Sequence, residues 1–172
     1  MPKMIVIDQK ACTGCRQCEL VCSVKHTGTA NPARARIHII KWEAEGFYLP
    51  MFCQQCLEPE CAAVCPKDAI SHDRDSGRIV IDYSLCIGCK MCVFACPFGA
   101  MGIDTEEERV IKCDLCDGDP ECVAFCEARA LSFVEADTAH IAMKRAYTIS
   151  IARTMRQSQT PAPEKASEPM AR

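Results

Sequence analysis

All sixteen cysteines of the 172-residue chain fall into four groups of four: Cys12, Cys15, Cys18, Cys22; Cys53, Cys56, Cys61, Cys65; Cys86, Cys89, Cys92, Cys96; Cys113, Cys116, Cys122, Cys126. Thiols at this density either close disulfides or ligate soft metals. The first and third groups share the spacing C-x2-C-x2-C-x3-C, the second runs C-x2-C-x4-C-x3-C and the fourth C-x2-C-x5-C-x3-C. A disulfide scaffold belongs to exported chains, and the opening MPKMIVIDQKAC lacks an apolar run long enough for a signal-peptide core. Structural zinc takes two C-x2-C pairs, or one pair with two histidines, and has no use for a third cysteine two residues on. No cysteine is left over to serve as a catalytic thiol. His26, His38, His72 and His140 are expected to be surface residues, because every quartet is complete without them.

What remains is iron–sulfur chemistry. The run C-x2-C-x2-C-x3-C is the bacterial ferredoxin signature for a cubane cluster: three closely spaced thiolates wrap one cluster, and the fourth is carried towards a neighbouring one. Gly14 and Gly88, between the first two ligands of their groups, permit the backbone angles such wrapping demands. Pro66 and Pro97 follow the last cysteine of the second and third groups as the signature asks, whereas Ser23 and Glu127 stand there in the other two. The cofactor expectation is four [4Fe-4S] clusters, with a three-iron or two-iron cluster at one site left open.

Short β-branched runs must position these groups. MIVID, ARIHII, RIVID and ERVIK read as strands, with Ile5–Ile7 and Ile79–Ile81 as core residues. Asp75-Ser76-Gly77 suits a hairpin turn between 69–73 and 78–82. Each stretch from third to fourth cysteine suits about one helical turn. An internal repeat at offset 74 aligns Ile5-Val6-Ile7-Asp8 and Cys12-Thr13-Gly14-Cys15 with Ile79-Val80-Ile81-Asp82 and Cys86-Ile87-Gly88-Cys89. Pro59-Glu60-Cys61 recurs as Pro120-Glu121-Cys122, and Ala69-Ile70-Ser71 as Ala130-Leu131-Ser132. Residues 31–50 read as a hairpin inserted between the first two groups. After Asp137 a helix is expected to run to about Gln157, with Met143, Tyr147, Ile151 and Met155 on one face, followed by a Pro/Ser/Ala-rich tail.

Charge narrows the function. Residues 137–172 hold six basic and three acidic side chains of the chain's 20 and 23, which leaves 14 and 20, a net of −6, on residues 1–136. Nucleic-acid binding wants a basic stripe on the folded body, and this body is acidic. No stretch of eighteen apolar residues exists to span a membrane. A Gly-rich phosphate loop, a nucleophile with its base and a flavin fingerprint are all missing, so the chain is expected to be non-catalytic and cytoplasmic. A redox-sensing role needs only one labile cluster, and four groups exceed it.

The four motifs, two of them carrying C-x2-C-x2-P-x-C or its one-residue-longer form, resemble the four-cluster ferredoxin-like electron-transfer subunits of molybdenum and tungsten oxidoreductases, some hydrogenases and carbon monoxide dehydrogenases. The likeness covers roughly residues 3–136. The compact KCDLC-DGDPEC-VAFC segment looks most like the small subunit of multi-subunit tungsten-containing aldehyde oxidoreductases. The resemblance implies an α+β fold of two bacterial-ferredoxin-type modules, the inner one (about 51–104) inserted in the outer one (1–30 and 105–136), plus the C-terminal helix and tail (137–172). It implies one cluster on Cys12, Cys15, Cys18 and Cys126, and a second on Cys113, Cys116, Cys122 and Cys22. The third takes Cys53, Cys56, Cys61 and Cys96, and the fourth Cys86, Cys89, Cys92 and Cys65. The implied partners are a tungsten- or molybdenum-cofactor catalytic subunit and a flavin-containing NAD-linked subunit. The basic C-terminal arm could add head-to-tail self-association. A diffusible polyferredoxin, or a subunit of a carbon monoxide dehydrogenase, hydrogenase or formate dehydrogenase, is the alternative.

Overall fold

Four two-stranded antiparallel ribbons and four short helices stand among the described residues, where no larger sheet joins the ribbons. The computed structural model describes residues 3–137. The chain divides after Ala136, and the expected C-terminal helix and tail lie outside the described residues.

Strand β1 (Lys3–Ile7) pairs with β8 (Leu131–Glu135), so the two ends of the domain close on each other. The inserted segment forms β2 (Ile37–Trp42) and β3 (Phe47–Phe52), joined by a 3-10 turn at Glu43–Glu45 that Gly46 ends at φ +63°. Strands β4 (Ile70–His72) and β5 (Ile79–Ile81) make the expected hairpin. There the Gly77 N–H reaches the Asp73 carbonyl at 2.8 Å, with φ +69° at the glycine. Strands β6 (Gly102–Ile103) and β7 (Val110–Ile111) form the last ribbon. Strands β6 and β8 were not foreseen, although the match of Ala130-Leu131-Ser132 to the β4 segment Ala69-Ile70-Ser71 is a signal for β8.

Helices α2 (Glu60–Ala63), α3 (Met91–Ala95) and α4 (Glu121–Ala124) are each about one turn, as expected. Helix α1 (Gln17–Thr27) is not: it runs on past Cys22 for eleven residues in all. The cause is Ser23. Where Pro66 and Pro97 cannot donate an amide proton to a helix, Ser23 can, and its buried hydroxyl donates to the Leu20 carbonyl at 2.8 Å.

Two small cores result. One gathers Ile5, Ala35, Ile37, Phe52, Leu115 and Leu131 around Cys22, Cys113 and Cys122. The other gathers Ile70, Ile79, Met101 and Val110 around Cys61 and Cys92. Both cores are small, and each is built around cysteines. Metal bound among those cysteines would add to the stability of such a fold, as metal sites do in other small domains.

Candidate iron–sulfur sites

Each cysteine group wraps through residues in the left-handed region. In the first and third groups the glycine expected to turn there does so (Gly14 φ +67°, Gly88 φ +68°), and Arg16 and Lys90 follow at +64° and +63°. The sequence reading missed those two, because non-glycine residues rarely adopt such angles. After the fourth cysteine of the later groups the chain turns left-handed again, at Asp68, Gly99 and Arg129. This turn aims the next amide at sulfur: Ala69 N–H lies 3.3 Å from Cys65 Sγ and Ala100 N–H 3.4 Å from Cys96 Sγ. The elongated α1 forbids that turn after Cys22. Its sulfur instead accepts from the Arg36 N–H, at 3.3 Å, supplied by the inserted segment.

Four cavities gather the sixteen cysteines, four to each. The first is lined by Cys12, Cys15, Cys18 and Cys126. The second is lined by Cys22, Cys113, Cys116 and Cys122. Cys53, Cys56, Cys61 and Cys96 line the third, and Cys65, Cys86, Cys89 and Cys92 the fourth. Each cavity thus draws three cysteines from one group and one from another.

Their order follows from the elements they share. One turn of α1 separates Cys18 in the first cavity from Cys22 in the second. Gln55 of the second group donates its side-chain amide to the Cys113 carbonyl at 2.9 Å and accepts from Ile79 N–H at 2.8 Å, which ties the second cavity to the third. One turn of α2 then leads from Cys61 in the third to Cys65 in the fourth. Only Cys15 and Cys89 among the sixteen are exposed, one at each end of this series.

The donor set fits iron held by thiolate. Burial pushes the Cys18 thiol up to about 12 and the Cys22 thiol to about 11, each with further push from neighbouring acidic groups and thiols. Cys113 is pushed up to about 12 and Cys61 to about 11 by burial first and neighbouring thiols second. Such sulfurs become thiolates only when a cation is bound among them. Lys112 points the same way. Its ammonium is buried, 3 % exposed, and donates only to the carbonyls of Ile79 and Cys113. It has no carboxylate partner among the described residues. A buried charge with no counter-charge is costly, and anionic clusters on either side would supply one.

His26 corrects the expectation of a surface residue. Near the end of α1, it places Nε2 3.7 Å from Cys116 Sγ and 3.6 Å from Asp114 Oδ1. Burial and the Arg36 guanidinium lower its pKa, which keeps the ring neutral near pH 7. Burial alone would raise the Asp114 carboxyl; Arg36, His26 and the Cys116 N–H outweigh it and hold it below the usual carboxylate range. His38 is half-buried in β2 and His72 exposed in β4, and His140 lies outside the described residues. Sequence reasoning also missed the inserted segment's Arg34. This buried guanidinium pairs with buried Asp104 and reaches Glu106 at 2.7 Å and Glu107 at 3.1 Å.

No described helix is long and apolar enough to cross a membrane. The profile of the 4Fe-4S dicluster domain matches residues 44–136. A putative electron transport protein of Escherichia coli K12, YsaA, is 39% identical over 149 residues, covering 80% of this chain and 92% of that protein. The polyferredoxin-like subunit of aliphatic sulfonate oxidoreductase from Pyrococcus furiosus is 38% identical over 122 residues, 71% of this chain and 70% of that one. The beta subunit of NADH-dependent phenylglyoxylate dehydrogenase from Aromatoleum evansii is 37% identical over 132 residues; the match covers 76% of this chain but only 30% of that subunit. By the profile match over half its length and by these relatives, the chain belongs to the 4Fe-4S dicluster domain family.

Proposed function

We propose that this chain is the electron-transfer subunit of an oxidoreductase complex and carries four [4Fe-4S] clusters in file. On this reading the four cavities hold one cluster each, on the quartets that line them. The outer module is 1–30 with 105–136 and the inner about 51–104, with β6 and β7 straddling the boundary. When bound, such clusters take up and release single electrons. The chain's own residues do the rest: they hold the sulfurs, aim amides at them and leave only two of the cysteines exposed.

The observation that carries the reading is the serial order of the four thiol-lined cavities, with an exposed ligand at each end. A file needs one entry and one exit, and Cys15 and Cys89 supply them. A substrate-transforming subunit would instead need a cleft holding groups other than sulfur. The names of the relatives, electron transport protein and subunits of larger oxidoreductases, point to the same role.

The finer proposal is that the catalytic partner carries tungsten or molybdenum and oxidises an aldehyde, with a flavin-containing NAD-linked subunit as second partner, in the cytoplasm. Its support is the KCDLC-DGDPEC-VAFC segment. Residues 137–172, net +3, would dock as a basic arm on the catalytic subunit or on a second copy. Anaerobic purification of the complex followed by metal analysis tests this. A stoichiometric tungsten or molybdenum subunit is expected; isolation of the chain alone, loaded with iron and competent in electron uptake, would favour a diffusible polyferredoxin.

A further inference from the structure

The internal repeat acts as a built-in control for what the second site has that the others lack. Four residues after the last cysteine of the second, third and fourth groups stands alanine: Ala69, Ala100 and Ala130. In the first group that position is His26. The backbone explains why a side chain has taken over. At Ala69 and Ala100 the left-handed turn delivers a main-chain N–H to the sulfur. In the first group Ser23 replaces proline, α1 continues, and position 26 stays helical with its amide committed to the helix. The extra helical turn points an imidazole across to Cys116 Sγ of the second site, 3.7 Å from Nε2. The same site receives the Arg36 N–H at Cys22 Sγ, and the Arg36 guanidinium pairs with Asp114 beside it. Among the described residues no other ligand sulfur has a side-chain nitrogen donor within hydrogen-bonding reach.

We propose that His26 is a positioning residue that sets the reduction potential of the second site, making it the most oxidising of the four. The inference rests on the reading of Cys22, Cys113, Cys116 and Cys122 as the ligands of one cluster. An N–H aimed at a ligand sulfur draws electron density from it and favours the reduced state, so an added donor raises the potential. A high-potential site in second place holds an arriving electron within the file until the next site accepts it.

The experiment is an anaerobic redox titration followed by electron paramagnetic resonance on the full-length, iron-loaded chain, comparing wild type with His26→Leu and His26→Gln. Leucine removes the donor and glutamine keeps one. In His26→Leu the most positive of the four midpoints should fall by about tenfold in its reduction equilibrium, which is about 59 mV for a one-electron couple, while the other three stay in place. His26→Gln should recover most of the shift. Four unchanged midpoints in His26→Leu would overturn the proposal, as would a shift in any midpoint but the most positive. If His26→Leu sheds iron, His26→Gln carries the test: full iron with a near-wild-type highest midpoint supports it, and loss of iron there too makes His26 a structural support and overturns it. Wild-type chain holding fewer than four clusters is a separate failure, because it overturns the ligand reading itself.

Discussion

Alanine at Gly14 and alanine at Gly88 impose the same backbone strain in two different surroundings. Both glycines sit at φ near +67°, at repeat-equivalent positions between the first two cysteines of their groups. A β-carbon in that conformation costs about 1–2 kcal/mol, offset at both by about 0.4–1 kcal/mol from the stiffer unfolded chain. At Gly88 nothing lies within 4 Å of the added carbon, so the net cost there is about 1 kcal/mol. At Gly14 the carbon would meet the Tyr48 ring at 2.5–2.8 Å, well inside contact distance. Turning the ring about its Cβ–Cγ bond gives no relief, because Tyr48 Cγ, which lies on that axis, is itself 2.7 Å from the added carbon. Overpacking of this kind adds about 1–3 kcal/mol, and the midpoint excess of about 2 kcal/mol corresponds to roughly thirtyfold in a rate that feels all of it. The assay is the anaerobic rate of loss of visible cluster absorbance at fixed denaturant. Gly14→Ala should lose clusters much faster than Gly88→Ala, and Tyr48→Ala in the Gly14→Ala background should restore most of the difference. Equal rates for the two alanine variants, or no rescue by Tyr48→Ala, would refute the reasoning.

Four other outcomes follow from the sites. Anaerobic reconstitution should reach about sixteen irons per chain, and a plateau at eight would count against the four-cluster reading. Cys65→Ala should remove the fourth site's cluster and leave the third complete; the opposite loss, seen spectroscopically, means that each group ligates its own cluster. Lys112→Met should lower the midpoints of the second and third sites and, by stranding the Ile79 carbonyl, destabilise the loaded chain by about 1–3 kcal/mol; unchanged potentials would remove the ammonium from the electrostatics. Truncation after Asp137 should leave the iron content intact while weakening assembly with the catalytic partner, and unaltered assembly would deny the arm a docking role.

How much of this was legible in the sequence depended on the distance over which each signal acts. The cysteines were legible because ligand spacing is a local property, and the β4–β5 hairpin because Asp75-Ser76-Gly77 is local turn chemistry. The pairing of β1 with β8 was not, since nothing in MIVID specifies a partner at Leu131–Glu135. The buried ion pair of Arg34 with Asp104 and the buried Lys112 were equally hidden. Charged residues read as surface until tertiary structure provides a counter-charge. Ser23 is the instructive case. Its departure from proline read as a weaker motif match, yet it leaves α1 free to run on and bring a histidine to a ligand sulfur.

The inserted hairpin explains why the two halves of the repeat are not interchangeable. It touches the outer half through Tyr48 on Gly14, through the Ile39 N–H to Glu19 at 2.6 Å, and through Arg36 to Asp114. From its base Arg34 reaches Asp104, at the end of the proposed inner module, and Glu106 and Glu107 just beyond it, all in the turn between β6 and β7. A segment that grips both halves fixes the second site against the third, the one junction in the file that no shared helix spans; Gln55 and Lys112 cross it as well. At the other two junctions a single helical turn between adjacent ligands sets the spacing, as Cys18 to Cys22 and Cys61 to Cys65 show. On the proposed two-module reading, short helices hold neighbouring sites within each module, and buried charges with an inserted hairpin hold the modules to each other. That division of labour accounts for so many ionic groups being buried in a domain whose apolar cores are small.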